Sequence, residues 1–539
     1  MPSEISDAFG QLQEKLLPIW TALQEDDNLE HTSVIIPSLS VDQEELSKVQ
    51  GASFYEERLM FALIRLRNPK ARLIYVTSQP VHPDVVDYYL QLLIGVPAAH
   101  AKRRLKMLCV LDASTRPLTE KVLERPRVVE RLRGWVNEHG PAYLTCYNTT
   151  MLERRLALDL GIPLNGVDPL LLPLGTKSGS RQTFAAAKVP YPAGFEDLHS
   201  EQEIVTALCE LGKLRPDIHR AVVKINEGFS GEGNGVFTYP DSKTDPQAIR
   251  QSLLKLEWSS DSETIQSFLR KFDHMGGIVE EMIEAEEIRS PSVQMRIFPD
   301  GKAVLVSSHE QVLGGNTGQV YLGCQFPARE EYRLMIQEQA ARIGEVLSEK
   351  GVLGRFGIDF LLTRSEGGDW QSHALEINLR MGGTTPPYHA LEFLTSGELS
   401  PETGIYHAPT GQEKFYSATD NLKSPAYRGL LPEDLFDISI RNKIHYQPDS
   451  GTGVLFYMIG ALSQYGKIGM TCIGNTPEQA NELFRRTVAI LDRETEVGSH
   501  DHGALEPLFD NREIRGRDRE GFPCFFESRG FDESAILED

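Results

Sequence analysis

The stretch "HALEINLRMGGTTPPYHAL", residues 373–391, sets an acid, an amide and a guanidinium at a spacing of two, then a glycine pair. Side chains of a β-strand alternate faces, so residues at i, i+2 and i+4 point the same way. Glu376, Asn378 and Arg380 therefore share one face, and Leu375, Ile377 and Leu379 share the other. The apolar row suits a core and leaves the polar row facing a cleft. Hard oxygens at that spacing suit Mg²⁺, which keeps near-octahedral oxygen ligation and shares its sites with substrate phosphates. A guanidinium one step along suits a phosphate or an anionic intermediate. The same residues also fit a half-exposed edge strand with a Glu–Arg surface pair, so the rest of the chain must decide.

At 539 residues the chain is too long for one core, and length alone suggests about three or four domains. A hydrophobic fraction of 40% and a charged fraction of 24% are those of ordinary globular proteins. The formal net charge of −22 argues against a nucleic-acid partner, which would want a basic face. Any polyphosphate must then sit in a locally positive pocket against the global field. The opening "MPSEISDAFG" is acidic and polar, unlike a signal peptide, and runs such as "VLFYMIGAL" are too short to span a bilayer. Six cysteines (109, 146, 209, 324, 472 and 524) lie scattered without CxxC pairing and read as reduced thiols of a cytoplasmic protein.

Over residues 1–165 the apolar runs "SVIIPSL", "RLIYVTS", "KMLCVLDA" and "AYLTCYN" alternate with helical stretches such as "FYEERLMFALIRLR", which predicts a parallel sheet wrapped by helices. Thr150 and Glu153 form a T-x-x-E capping box. Residues 166–280 mix a glycine-rich loop with helical stretches, and residues 281–400 are mostly strand around "REEYRLMIQEQAARIGEVLSEKG". Residues 401–539 form a separate α/β pattern ending in an acidic tail.

In "AVVKINEGFSGEGNGVF" an apolar strand reaches Lys224, and a loop with Gly228, Gly231, Gly233 and Gly235 leads into a second strand. Glycines let backbone N–H groups approach phosphate oxygens, and the lysine adds a point charge. The loop leads to a strand, so neither the Rossmann nor the Walker pattern applies. "GGIVEEMIEAEEIRSP" is a strand ending in an acidic cluster, where Glu280 and Glu287 could accept from an adenine amino group and ribose hydroxyls. "GRFGIDFLL" and "WQSHALEINLR" flank the turn-rich "TRSEGGD" and predict a hairpin. In any antiparallel register whose opposed numbers sum to an odd value, Asp359 joins Glu376 and Asn378 on one face. A buried mid-strand Asp is costly unless paired or metal-bound.

In this order the residues resemble the ATP-grasp superfamily of carboxylate–amine ligases, over roughly residues 170–390. The fold class that follows is α/β: a Rossmann-like pre-ATP-grasp domain (1–165), an ATP-grasp fold of two α+β lobes (166–280 and 281–400), and a C-terminal family-specific domain (401–539). The resemblance assigns Lys177 and Lys224 to the ATP phosphates, and Gly231, Glu232 and Gly233 to the phosphate lid. Glu280, Glu281 and Ile283 correspond to the adenine hinge, and Glu287 to the ribose acid. Asp359, Glu376 and Asn378 correspond to the Mg²⁺ ligands, and Arg380 to the arginine on the transferred phosphate. "LGTKSGSR", "SSHEQVLGG" and "GTGVLFYMIGALSQYGKIGMTCIGN" resemble the pheganomycin-type peptide ligases, which join a small, often guanidino-bearing acid to a peptide amino terminus. Lys188, in "AAAKVPYP", departs from the glycine of many members.

The resemblance implies ATP and two Mg²⁺ ions as cofactors, an acyl phosphate intermediate, and release of ADP and phosphate. It implies a small carboxylic acid and an amine or short peptide as substrates, with no nucleic acid, no membrane, and a homodimer left open. Arg296, His309 and Glu310 lie on strands that should border the substrate end, with His309 either a catalytic group or a core or surface histidine. The C-terminal segment either lies over the cleft, with Tyr457 and Tyr465 as acceptor contacts, or is a packed structural or dimerisation domain. Two alternatives stand beside this: a ligase unconnected to peptide synthesis, and a non-catalytic ATP-binding regulatory protein.

Overall fold

The computed structural model describes residues 2–41, 46, 49–227, 233–258, 263–314 and 320–495. The first four apolar runs form β1 (His31–Ile36), β2 (Ala71–Thr77), β3 (Leu105–Cys109) and β4 (Ala142–Cys146), a parallel sheet in the order β3-β2-β1-β4. Parallel neighbours need crossover connections, and the helical segments Ala52–Arg67, Pro83–Gln91 and Pro126–Val136 provide them, while α1 (Met151–Leu160) follows β4. The expected capping box starts α1: Thr150 Oγ1 accepts from Leu152 N, and Glu153 Oε2 accepts from Thr150 N at 2.7 Å.

α2 (Lys177–Ala186) precedes the second sheet, built from β5 (Gly194–Leu198), β6 (Arg220–Ile225), β7 (Asn234–Thr238), β8 (Glu257–Trp258) and β9 (Gly277–Glu281) in the order β5-β9-β6-β7-β8. β9 runs past residue 280, so that expected lobe boundary cuts a strand. The hairpin β6–β7 carries the glycine-rich loop, of which residues 228–232, with Gly231 and Glu232, lie outside the described residues. Gly233 takes φ +76°, and a Cβ there would lie 2.4 Å from Ile225, so the loop's return needs glycine.

The third sheet has 11 strands among the described residues. β10 (Glu287–Arg289), β14 (Gly354–Arg364), β11 (Pro291–Ile297), β12 (Ala303–Gly314) and β13 (Val320–Phe326) run side by side, with β15 (Gln371–Asn378) on β14. Helix α3 (Glu330–Glu349) covers one face with Tyr332, Ile336, Ala340, Ile343 and Leu347, a helical spacing buried throughout. The sheet does not stop at residue 400. β13 pairs with β18 (Glu413–Lys423), which carries β17 (Tyr406–His407), β16 (Glu398–Leu399), β20 (Lys467–Gly474) and, beyond β20, β19 (Gly453–Tyr457). The expected separate C-terminal pattern therefore shares a sheet with the lobe before it. Its core is shared too: Phe61 and Tyr89 pack with Phe393, Tyr416, Phe456 and Leu491 in one buried cluster, together with α4 (Thr385–Thr395) and α5 (Pro477–Glu494). The tail from residue 496 lies outside the described residues. Among the described residues no helix is long and apolar enough to cross a membrane.

Candidate active site

The stretch 373–391 is strand only as far as Asn378, then a turn and the start of α4, and the strand's partner puts the acids together. In the β14–β15 hairpin Asp359 opposes Glu376 and Gly357 opposes Asn378, sums of 735, so the three oxygen-bearing side chains share a face. The register shifts directly after Asp359, and beyond that bulge the parity reverses. Asn378 Nδ2 donates to Asp359 Oδ2 at 3.0 Å, which leaves its carbonyl oxygen without a partner among the described residues. β15 ends at Asn378, and Arg380 N donates back to Asn378 O at 2.8 Å. Arg380 thus enters from a turn and not by strand alternation, yet its charge still acts on both acids.

Lys177 is the first residue of α2, whose N-terminus is capped by Thr176 Oγ1 accepting from Gly179 N at 3.1 Å. Its ammonium lies 2.5 Å from Glu376 Oε1. Burial raises the Glu376 carboxyl, but Lys177, Arg380 and Lys224 outweigh that and hold it below its ordinary value. Asp359 goes the other way, pushed up to about 6 by burial and by the like charge of Glu376. Gln311 Nε2 steadies it at 2.6 Å. Two opposed carboxylates and an amide carbonyl are all hard oxygen donors, and the strain between the acids is of the kind a divalent cation relieves, so the set fits Mg²⁺.

Lys224 lies on β6, two residues along from Val222, which opposes Glu280 on β9. Its ammonium is 2.5 Å from Glu280 Oε1, while Arg181 Nη1 of α2 is 3.3 Å from Oε2. Both oxygens of Glu280, which is 3% exposed, therefore face cations, and this revises its expected role as an adenine acceptor. The Glu281 carboxylate is likewise engaged by Ala193 N at 2.8 Å and by Arg215 Nε at 3.0 Å. Of the expected base-edge groups, Glu281 N donates to Ala193 O at 2.8 Å and Met282 N to Arg220 O at 3.1 Å, while the Ile283 backbone makes no hydrogen bond among the described residues. Glu287 opposes Arg364 and accepts from its Nε at 2.9 Å and Nη2 at 2.6 Å, with Arg289 at 2.8 Å on the other oxygen. A ribose would have to compete with both guanidiniums.

Four substrate-end candidates need correction. His309 is fully buried, its Nε2 2.6 Å from Tyr416 Oη and its ring against Phe326, and burial pushes its pKa down to about 3. It is a core histidine and not a catalytic one. Glu310 points to the opposite face, accepting from Tyr332 Oη at 2.6 Å and Arg329 N at 3.1 Å. Tyr457 is fully buried with its hydroxyl on Thr419 O at 2.9 Å, and Tyr465 packs edge-on against Phe54, so neither is an acceptor contact here. Arg296 shares the sheet face of Asp359, from the far end of β11 and opposite Arg355, away from the acidic pair. Sequence reasoning missed Gln311, Arg181 and Arg355. Alternation alone would have put Gln311 on the face of His309, and Arg355 on that of Asp359.

A family model for IQCH-like ATP-grasp domains matches residues 172–244 and 246–402, and one for the PGM1 C-terminal domain matches residues 437–487. L-propargylglycine--L-glutamate ligase of Streptantibioticus cattleyicolor is 31% identical over 476 residues, covering 85% of this chain and 94% of its own length. IQ motif-containing protein H of Danio rerio is 22% identical, over 90% of this chain and 50% of its own length. The biotin carboxylase domain of Hydrogenobacter thermophilus 2-oxoglutarate carboxylase, solved with MgADP, superposes with a TM-score of 0.52 at 12% identity, over 90% of this chain and 100% of that one. Campylobacter jejuni biotin carboxylase gives 0.52 at 13% identity, over 86% of this chain and 95% of that one. At such identities the two structures speak to the fold alone.

Proposed function

The chain belongs to the ATP-grasp family of carboxylate–amine ligases, and on that premise we propose that it joins an amino acid or other small carboxylic acid to the amine of an amino acid or peptide, through an acyl phosphate, releasing ADP and phosphate. The observation that carries the reading is the convergence of Lys177, Lys224 and Arg380 on the opposed acids Asp359 and Glu376. A carboxylate is a poor electrophile because its leaving group would be oxide. Once it has taken the γ-phosphoryl group from ATP, phosphate leaves as the amine attacks. Lys177 and Lys224 grip and orient the phosphates, and Arg380 holds the transferred group. Asp359, Glu376 and Asn378 would hold Mg²⁺, two ions in this reading, which would supply charge neutralisation on the phosphates when bound. The ligase named above acts on L-glutamate and L-propargylglycine by its name, which favours amino acids over guanidino acids as substrates here.

The experiment that tests this is turnover with an ¹⁸O-labelled carboxylic acid. Label is expected in inorganic phosphate. Label in AMP would overturn the acyl phosphate, and no ATP consumption with any acid–amine pair would favour the regulatory alternative.

A further inference from the structure

The cleft floor runs on beyond the acids. Asp359, Gly357 and Arg355 of β14 share a face with Ser292, Gln294 and Arg296 of β11, because each opposes its counterpart in register. Arg296 and Arg355 thus start from directly opposed positions, where Cβ atoms lie about 5 Å apart and like charges destabilise a sheet. Arg65 joins them from the helical segment Ala52–Arg67, hydrogen-bonded to Ser33 and, at 3.2 Å, to Thr145. Burial first, then Arg355 and Arg65, lower Arg296 to about 9.

Compensation is thin. Glu392 lies 4.0 Å from Arg355. Arg296 stacks on Phe298 at 4.4 Å but has no hydrogen bond or ion pair among the described residues. His389, one turn before Glu392 on α4, lies within reach of all three guanidinium charges, and its Nε2 is buried without a hydrogen-bond partner among the described residues. In a chain of net charge −22, a group of three cations answered by one carboxylate among the described residues is a local construction. A guanidinium fork matches a carboxylate bidentately, and a buried imidazole N–H supplies a further donor.

We propose that Arg296 and Arg355, backed by Arg65 and His389, bind a spectator carboxylate of a substrate, the one that is not activated. This rests on the ligase reading and makes free amino acids or carboxyl-terminal peptides the substrate class. Four residues of strand separate Arg355 from Asp359, roughly 14 Å at 3.4 Å per residue. Once the arginine side chains have taken up part of that span, the remainder matches one amino acid with its reacting group at the metal-ligand face.

Arg296→Met and Arg355→Met, assayed beside the native protein, test this with L-glutamate and small L-amino acids and with the same compounds amidated at the α-carboxylate. The native protein should disfavour the amides ten- to hundredfold in kcat/KM, and the variants should treat acid and amide alike with the KM for ATP unchanged. Whether the amide is penalised as donor or as acceptor identifies which substrate the arginines hold. Equal use of amide and acid by the native protein, or a preference that survives Arg355→Met, would overturn the proposal. Unliganded Arg355→Met should melt at or above the native temperature, since a like charge is removed. A lower Tm would make Arg355 a structural partner of Glu392 and overturn it as well. If no acid–amine pair consumed ATP, the ligase reading would fall, and the site would then be judged alone. In that case L-glutamate should raise the native Tm and leave that of Arg296→Met unmoved, and an equal rise in both would overturn it.

Discussion

Glu280→Gln keeps the shape of its side chain and removes the one anion shared by Lys224, at 2.5 Å, and Arg181, at 3.3 Å. Removing one partner of a buried ion pair costs about 3–5 kcal/mol, because the other charge stays desolvated. Arg181 keeps Glu196 at 2.9 Å, so the loss falls mainly on Lys224 and the expected cost is near the lower end, about 3 kcal/mol. Lys224→Met should cost a similar amount alone, and the double variant barely more than either. That gives a coupling of roughly 2–3 kcal/mol in a double-mutant cycle read by urea unfolding. In the ADP-release assay Glu280→Gln should raise the KM for ATP roughly ten- to hundredfold, the worth of a hydrogen bond to a charged group, about 1.5–3 kcal/mol. Its preference for ATP over GTP should not move, because both carboxylate oxygens face cations. If that preference collapsed while the KM for ATP held, Glu280 would be reading the base and the positioning argument would be refuted.

Glu376→Gln, which takes one acid from the pair and the partner from Lys177, should lower turnover by more than about a hundredfold, beyond the loss typical of an outer-shell change, and should raise the Mg²⁺ requirement in a titration. Near-native turnover at the native Mg²⁺ requirement would remove it from the metal site. Lys188 holds φ +54° at an exposed helix end, so Lys188→Gly should stabilise the fold by about 0.5–1 kcal/mol, the left-handed penalty less glycine's unfolded-state entropy; a lower urea midpoint would contradict this. Glu57, buried against Gly460 N at 3.1 Å, is raised to about 7 by that burial, against the N–H and with Glu56 adding to it. A carboxyl raised on folding contributes stability that is complete below its unfolded value near 4.5 and lost as pH rises through about 7, by up to about 3 kcal/mol. Unfolding free energy should therefore fall between pH 5 and 8, and Glu57→Gln should flatten that fall; an unaltered slope in the variant would show that the group does not titrate there.

Local pattern made several elements legible. Alternation in residues 373–378 identified a strand and the shared face of Glu376 and Asn378, though not the turn that carries Arg380; the turn-rich "TRSEGGD" implied the hairpin, and T-x-x-E marked the start of α1. The parity argument for Asp359 needed only that hairpin, a pairing of near neighbours in the chain, and the register realises it. Four apolar runs separated by helical stretches implied the parallel sheet for the same reason: each run's period is visible within a few residues.

What the sequence by itself determined was which side chains share a face of each strand or helix, since backbone geometry sets that period residue by residue. Tertiary structure alone decided which faces meet. Gln311 reaches Asp359 because β11 lies between β12 and β14, and His309, on the same face of β12, is instead sealed by Tyr416 from a strand more than a hundred residues away. Glu280 turned from an apparent ligand acid into the partner of Lys224 and Arg181 once β9 and α2 were packed together. Arg65, Arg296 and Arg355 gather from three distant segments, and the C-terminal strands extend a sheet in place of starting one. Long-range pairing is settled by burial and hydrogen-bond satisfaction summed over the whole chain, and no local period records that sum.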